Sequence, residues 1–331
     1  MVDIQTIQAG KLNYAIEEQS LVAKTGNAEN NEDLIHISPS FVAVIDGTTS
    51  KTTRLWDGKT GGQVCAQIID RVLAQLPGEA TAEEAVGAIT ETIKDFYETQ
   101  GVLEIVQADP SQRVTAALVV ASFQRKEIWF VGDCQCMLDN RLILNTKPVD
   151  TITAEARAMF LETELQKGVT IEELRQNDAG RAFILPLLKQ QQLFQNNPAA
   201  GTYWYPIIDG FPVPNGGIRI EPIPQTTQII ILASDGYPVL KNTLAASEEE
   251  LQHILESDPL LFRSYKSTKG VQEGHVSYDD RAYIKLRLLH EPRKNSTVAV
   301  KNDGLSKPIQ PRRKKKKKAK RNRQRASKKA R

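Results

Sequence analysis

The sequence predicts a mixed α+β protein in which antiparallel strands fall into two groups separated by long helices. Three observations carry this. Leu34 to Ile37 and Phe41 to Gly47 are short apolar runs joined by Ser38-Pro39-Ser40, which reads as an antiparallel pair. Two stretches with helical spacing follow, and a second set of β-rich runs begins at Val114.

In chain order, Lys11 to Ile16 and Ser20 to Lys24 are expected as two short strands leading to the pair. Gly58 to Leu76 carries Val64, Ile68, Ile69, Val72, Leu73 and Leu76 on one helical face, and Pro77-Gly78 stops it. Thr81 with Glu84 is a capping box that opens a helix through Tyr97. Val114 to Phe123 and Glu127 to Val131 read as strands, the second running into Gly132-Asp133. Arg141 to Leu144 returns after the Asp139-Asn140 turn. Helices are expected over 153–166, 170–177 and 181–192, the last despite Pro186, and 196–215 as an ordered irregular loop. Ile218 to Ile223 and Gln228 to Ala233 are strands, the latter followed by Ser234-Asp235-Gly236. Ser247 with Glu250 is expected to cap a helix to Leu255, and Ala282 to Leu288 is the last strand.

Apolar content of 40% over 331 residues is enough for an ample core. Neither a charged-then-apolar leader nor an apolar run near ~18 residues is present, so no secretion or membrane span is expected, and a cytoplasmic location is. Cys65, Cys134 and Cys136 make no disulfide framework and suit a reducing compartment. Cys134 and Cys136 are expected to point to opposite faces of a strand, which argues against a zinc pair.

The net charge of +3 conceals a division: 311–331 holds 14 Lys and Arg and no acid, leaving −11 on the preceding residues. A domain over 1–290, a linker over 291–310 and a disordered basic tail over 311–331 follow. The tail suits non-specific contact with nucleic acid or another polyanion, and in a eukaryote it reads as a nuclear-import signal.

Around the first strand pair, Glu32 and Asp33 precede one strand and Asp46 ends the other, so pairing brings three carboxylates to one end of the sheet. Carboxylates that close resist ionisation unless a cation lies between them, and an all-oxygen set suits Mg²⁺, Mn²⁺ or Ca²⁺. Gly47 allows a sharp turn and leaves its carbonyl as another hard ligand. Taken alone, the stretch reads better as an acidic loop and an ordinary Asp-Gly turn than as a metal site.

The ordered series says more. It runs Asn31-Glu32-Asp33, Asp46-Gly47, Gly132-Asp133, Ser234-Asp235-Gly236, then Asp279-Asp280 before a last strand. Over roughly residues 10 to 289 this resembles the metal-dependent PP2C-type (PPM) protein phosphatases. The resemblance implies a four-layer α/β/β/α sandwich, two antiparallel sheets flanked by helices, with Mn²⁺ or Mg²⁺ in a cleft at one end. It implies Asp46 bridging two ions, Asp235 and Asp279 on one, and Glu32 and the Gly47 carbonyl on the other. Asp133, with Asp235, matches the site of a weaker third ion, and Asp33 the acid behind the first motif. The implied activity is hydrolysis of phosphoserine and phosphothreonine in proteins by a metal-bridging water.

The pattern departs from the family where phosphate would be held. Ala28 stands where the family often has an arginine, Thr48-Thr49-Ser50 replaces His-Gly-Gly, and Ala282 follows Asp279-Asp280-Arg281 without the usual Ser or Thr. Lys51 or Arg54 is the expected substitute for the arginine. Two other readings stand beside the enzyme: a catalytically weak metal-binding scaffold, and a nucleic-acid-binding protein acting through the tail.

Overall fold

A computed structural model describes residues 14–289. The start of the first expected strand, the 291–310 linker and the 311–331 tail lie outside the described residues.

Two five-stranded antiparallel sheets form the centre. One has the order β1 (Tyr14–Val22), β10 (Arg281–Leu288), β9 (Ile229–Ala233), β6 (Gln135–Leu138), β7 (Arg141–Ile143). The other runs β2 (Leu34–Ile37), β3 (Phe41–Gly47), β4 (Ala116–Ser122), β5 (Glu127–Val131), β8 (Arg219–Pro222). The alternation along β3 shows how the layers arise. Val42 and Val44 face the other sheet, in one core layer with Val119 and Phe130 of their own sheet and Ile230, Leu232 and Ile284 of the other. Phe41, Ala43 and Ile45 face the opposite way, onto α1 (Gly61–Leu73) and α2 (Ala82–Thr99), with Ile68, Ile69, Ile89 and Ile93. Both helices open on complete capping boxes, Thr60 with Gln63 and Thr81 with Glu84. On the far side, α7 (Leu244–Ser257) contributes Leu244 to a cluster with Tyr237 and Tyr283. The fold is therefore the expected α+β sandwich of two antiparallel sheets flanked by helices. Among the described residues no helix is long and apolar enough to cross a membrane.

A short α3 (Leu103–Ala108) follows α2. The connection from β7 to β8 contains α4 (Pro148–Gln166), α5 (Ile171–Gln176) and α6 (Ala179–Gln190), which carries Pro186 within it. Arg157 on α4 has no exposed surface and ties this layer together. It pairs with Asp178 at 2.8 Å and donates to the carbonyls of Leu260, Leu261 and Ser267 at 2.7, 3.3 and 3.2 Å.

Three expectations need correction. The two strands before Lys24 are one, β1, with a bulge between Ile16 and Glu18 that absorbs the irregular pattern. The cap of α7 is Thr243; Ser247 lies a turn inside, accepting from the Lys241 N–H and donating to the Thr243 carbonyl. Cys134 and Cys136 enter the same core layer between the sheets, because side chains two residues apart share a face.

Candidate active site

Register alone gathers the acidic residues. Leu34 pairs with Ile45 and Gly47 with Ala116, so the start of β2, the end of β3 and the start of β4 share one end of their sheet. Ala233 pairs with both Gln135 and Tyr283, which brings the end of β9 and the starts of β6 and β10 together in the other. Asp46 continues the inward face of Val42 and Val44 and points into the gap between sheets. Asp46, Gly47, Asp133, Asp235 and Asp279 line one cleft of about 420 Å³, with Glu32, Asp33 and Asp280 beside it. Gly47 is dictated by close approach: a Cβ there would lie 2.3 Å from the Glu32 carbonyl oxygen and 2.7 Å from the Gly62 backbone.

The carboxylates divide by partner. Asp33, Asp46 and Asp235 form no ion pair among the described residues. Burial, then the charges of Asp33, Asp279 and Asp133, hold Asp46 well above the usual carboxylate range, with Asp235 in hydrogen-bond reach. Burial followed by Asp46 and Asp133 does the same to Asp235. Asp33 is raised by burial despite a hydrogen bond with Ser234, and its Oδ2 is buried without a partner.

The others have lysines. Lys147 Nζ lies 2.7 Å from Asp133 Oδ2 and 3.4 Å from Asp150. Lys269 Nζ lies 2.5 Å from Asp279 Oδ1. Burial pushes Asp279 up, but Lys269 and Lys24 outweigh it and draw the group below its ordinary value. Lys24 Nζ reaches Asp280 Oδ2 at 2.9 Å, Glu32 Oε2 at 3.0 Å and Thr49 Oγ1 at 3.1 Å.

Above this acidic floor stand cations with no carboxylate to spare. Lys51 Nζ donates to the Thr49 carbonyl at 2.5 Å and forms no ion pair among the described residues. Burial, then Arg181 and Lys269, lower it to about 7, with Lys147 adding and Glu32 opposing. Arg181, from α6, donates to the Thr268 carbonyl at 3.0 Å. Lys51, Lys147, Arg181 and Lys269 all line the cleft. Arg54, the other expected phosphate partner, instead stacks over Trp56 at 5.2 Å and is not among the lining residues.

Solved serine/threonine phosphatases are similar to this chain. The PstP/Ppp phosphatase of Mycobacterium tuberculosis is 17% identical over 82% of this chain and 98% of its own, at a TM-score of 0.43. A PstP catalytic domain in complex with two manganese ions is 15% identical over 84% and 98%, at 0.41. Stp1 of Staphylococcus aureus is 13% identical over 86% and 99%, also at 0.41. No family model matches the chain, and no curated protein matches it.

Whether the residues fit a divalent ion differs across the cleft. On the Asp46 side they do: Asp46 and Asp235 offer hard oxygens with no cation of their own. Asp279 differs in carrying lysines, but Lys269, Lys24 and the Asp280 N–H all meet its Oδ1 and not its Oδ2. Among the described residues no three His, Cys, Asp or Glu already close on one point, as a finished centre would. On the Glu32 side the fit fails. Glu32 Oε1 accepts from Thr60 Oγ1 at 2.7 Å, and Oε2 from Thr49 Oγ1 at 2.9 Å and Lys24.

Sequence reasoning did not anticipate Lys147, Arg181, Lys269, Asp280 or Thr60 in these roles. Thr60 carried a signal as the cap residue before Gly61-Gly62, and Asp280 as the second member of the Asp279-Asp280 pair.

Proposed function

We propose that this chain is a metal-dependent hydrolase of phosphate monoesters, acting on phosphoserine and phosphothreonine side chains of proteins. The observation that carries the reading is one cleft with an acidic floor, Asp46 and Asp235 with Asp33 beside them, that has no ion-paired cation among the described residues, and a wall bearing two cations without an ion pair among the described residues, Lys51 and Arg181. A floor of that kind attracts a divalent ion, and a wall of that kind attracts a phosphate dianion.

Asp46, Asp235 and Asp279 would hold the ion, which when bound supplies a more acidic water and a Lewis acid for phosphoryl oxygens. The protein's own part is orientation and charge. Lys51 and Arg181 meet phosphoryl oxygens from the wall, where their mutual repulsion is relieved by the arriving anion. Asp33, beside the floor with Oδ2 unclaimed, would take up a proton there once a bound cation ionises its carboxyl. No side-chain nucleophile is required. The thiols of Cys65, Cys134 and Cys136 are all raised by burial and stay protonated at neutral pH, which disfavours a thiolate mechanism.

The test is hydrolysis of an aryl phosphate and of phosphoserine, phosphothreonine and phosphotyrosine peptides, with Mn²⁺ or Mg²⁺ and with EDTA. Metal-dependent turnover that favours the first two peptides is expected. Equal rates in chelator would refute the metal requirement, and preference for phosphotyrosine would refute the substrate class.

A further inference from the structure

Lys24 is a charged residue fixed at both ends. Its backbone N–H donates to Asp280 Oδ1 at 2.8 Å, and its carbonyl accepts from the N–H groups of Val276 and Ser277 at 2.9 and 3.3 Å. Its ammonium meets Asp280 Oδ2, Glu32 Oε2 and Thr49 Oγ1, three acceptors within 3.1 Å, which is the full donor capacity of the group. Asp280 in turn accepts from the Glu32 N–H at 3.3 Å, so the lysine and both carboxylates form one closed cluster. Glu32 is 4% exposed and Asp280 3%, so both charges are largely shielded from bulk water.

The space around Glu32 is equally committed. A Cβ on Gly62 would stand 2.9 Å from the Gly47 carbonyl oxygen and 3.0 Å from Glu32 Oε1. The N-terminus of α1 therefore roofs the two oxygens that the sequence pattern nominates as ligands of a second ion. A divalent ion entering there would have to displace Lys24 from Glu32 Oε2 and Thr60 from Oε1, and then sit beside the ammonium. The charge of Glu32 and Asp280 is already met by a cation the chain carries itself.

We infer that the ammonium of Lys24 is the resident cation on the Glu32 side of the cleft, so that the chain takes one divalent ion, on the Asp46 side, rather than two. The inference rests on the metal-dependent reading above. It assigns Lys24 a positioning role: it holds Glu32, Asp280 and, through the chain, Asp279 in place for the single ion.

The experiment is Mn²⁺ titration of the full chain, with stoichiometry from calorimetry and from loss of the free Mn²⁺ EPR signal. One ion per chain is expected for the wild type and two for Lys24→Met, which frees Glu32 and Asp280 while keeping the length of the side chain. Glu32→Gln in the otherwise unchanged chain keeps the lysine cluster and is expected to shift Mn²⁺ affinity by less than about twofold. Two ions in the wild type, or about a tenfold loss of affinity in Glu32→Gln, overturn the inference and leave the hydrolytic reading standing. One ion in the wild type without hydrolysis of any phosphate monoester overturns the hydrolytic reading and leaves this one. If Lys24→Met does not fold, the Glu32→Gln affinity decides.

Discussion

Replacing Lys51 by methionine should make the protein more stable and a worse phosphate binder. Burial of the wild-type ammonium on the cleft wall, then the charges of Arg181 and Lys269, with Lys147 adding and Glu32 opposing, lower its pKa from 10.5 to about 7. A tenfold change in a protonation equilibrium corresponds to about 1.4 kcal/mol, so keeping Lys51 charged among these neighbours costs up to about 5 kcal/mol. Its remaining contact with solvent screens part of this, and about 2–3 kcal/mol is the gain expected on substitution at pH 7. For a domain of this size that is a rise in Tm of roughly 5–10 °C. The pH dependence has a defined sign. A lysine with a lowered folded pKa costs nothing above about 10.5, where it is neutral in both states, and the cost grows as pH falls toward 7. Wild-type stability should therefore rise toward that of Lys51→Met between pH 7 and 10. Catalysis should move the other way, with KM for an aryl phosphate up about tenfold and kcat little changed, since the contact serves ground and transition states alike. Inorganic phosphate should raise the wild-type Tm more than that of the variant. A destabilised variant with unchanged KM would refute the reasoning.

Arg54→Ala should leave KM and kcat within about twofold, because its guanidinium packs on Trp56 and not in the cleft; steady-state kinetics beside Lys51→Met separate the two. Arg157→Met removes a fully buried guanidinium, with its ion pair to Asp178 and its hydrogen bonds to three carbonyls, and should cost about 3–5 kcal/mol, read by chemical denaturation. Deleting 311–331 should leave aryl phosphate hydrolysis and Tm unchanged and abolish salt-sensitive, sequence-indifferent binding to RNA or DNA, measured by fluorescence anisotropy across a salt series.

Much of this architecture is legible because its signals are local. Short apolar runs leading into Asp46, Asp133 and Asp235 place those groups at strand termini, and pairing rules then bring strand termini together. The capping boxes at Thr60 and Thr81 fix where α1 and α2 begin, although the first, with Gln63 in place of a glutamate, is the less conspicuous. What stays hidden is the counter-charge. Lys24 and Asp280 are 256 residues apart in the chain, and nothing local to either marks the other as its partner. Arg181 reaches the cleft from a helix whose direction depends on the buried Arg157 cluster. Arg54 is misplaced by sequence for a related reason: nearness in the chain to Asp46-Gly47 does not set the direction of a side chain, and the face of Trp56 does. Glu32 is legible as an acid at the right place but not as an acid already satisfied.

The central claim is that Asp46 lies at the heart of a metal-dependent hydrolytic site. Single-turnover hydrolysis of a phosphoserine peptide in saturating Mn²⁺, wild type against Asp46→Asn, tests it most directly, because the substitution keeps the shape of the side chain and removes its charge. The account predicts a fall in the chemical step of at least about a thousandfold, about 4 kcal/mol of barrier, with the Asp46→Asn fold intact by circular dichroism. A rate within tenfold of wild type would contradict it.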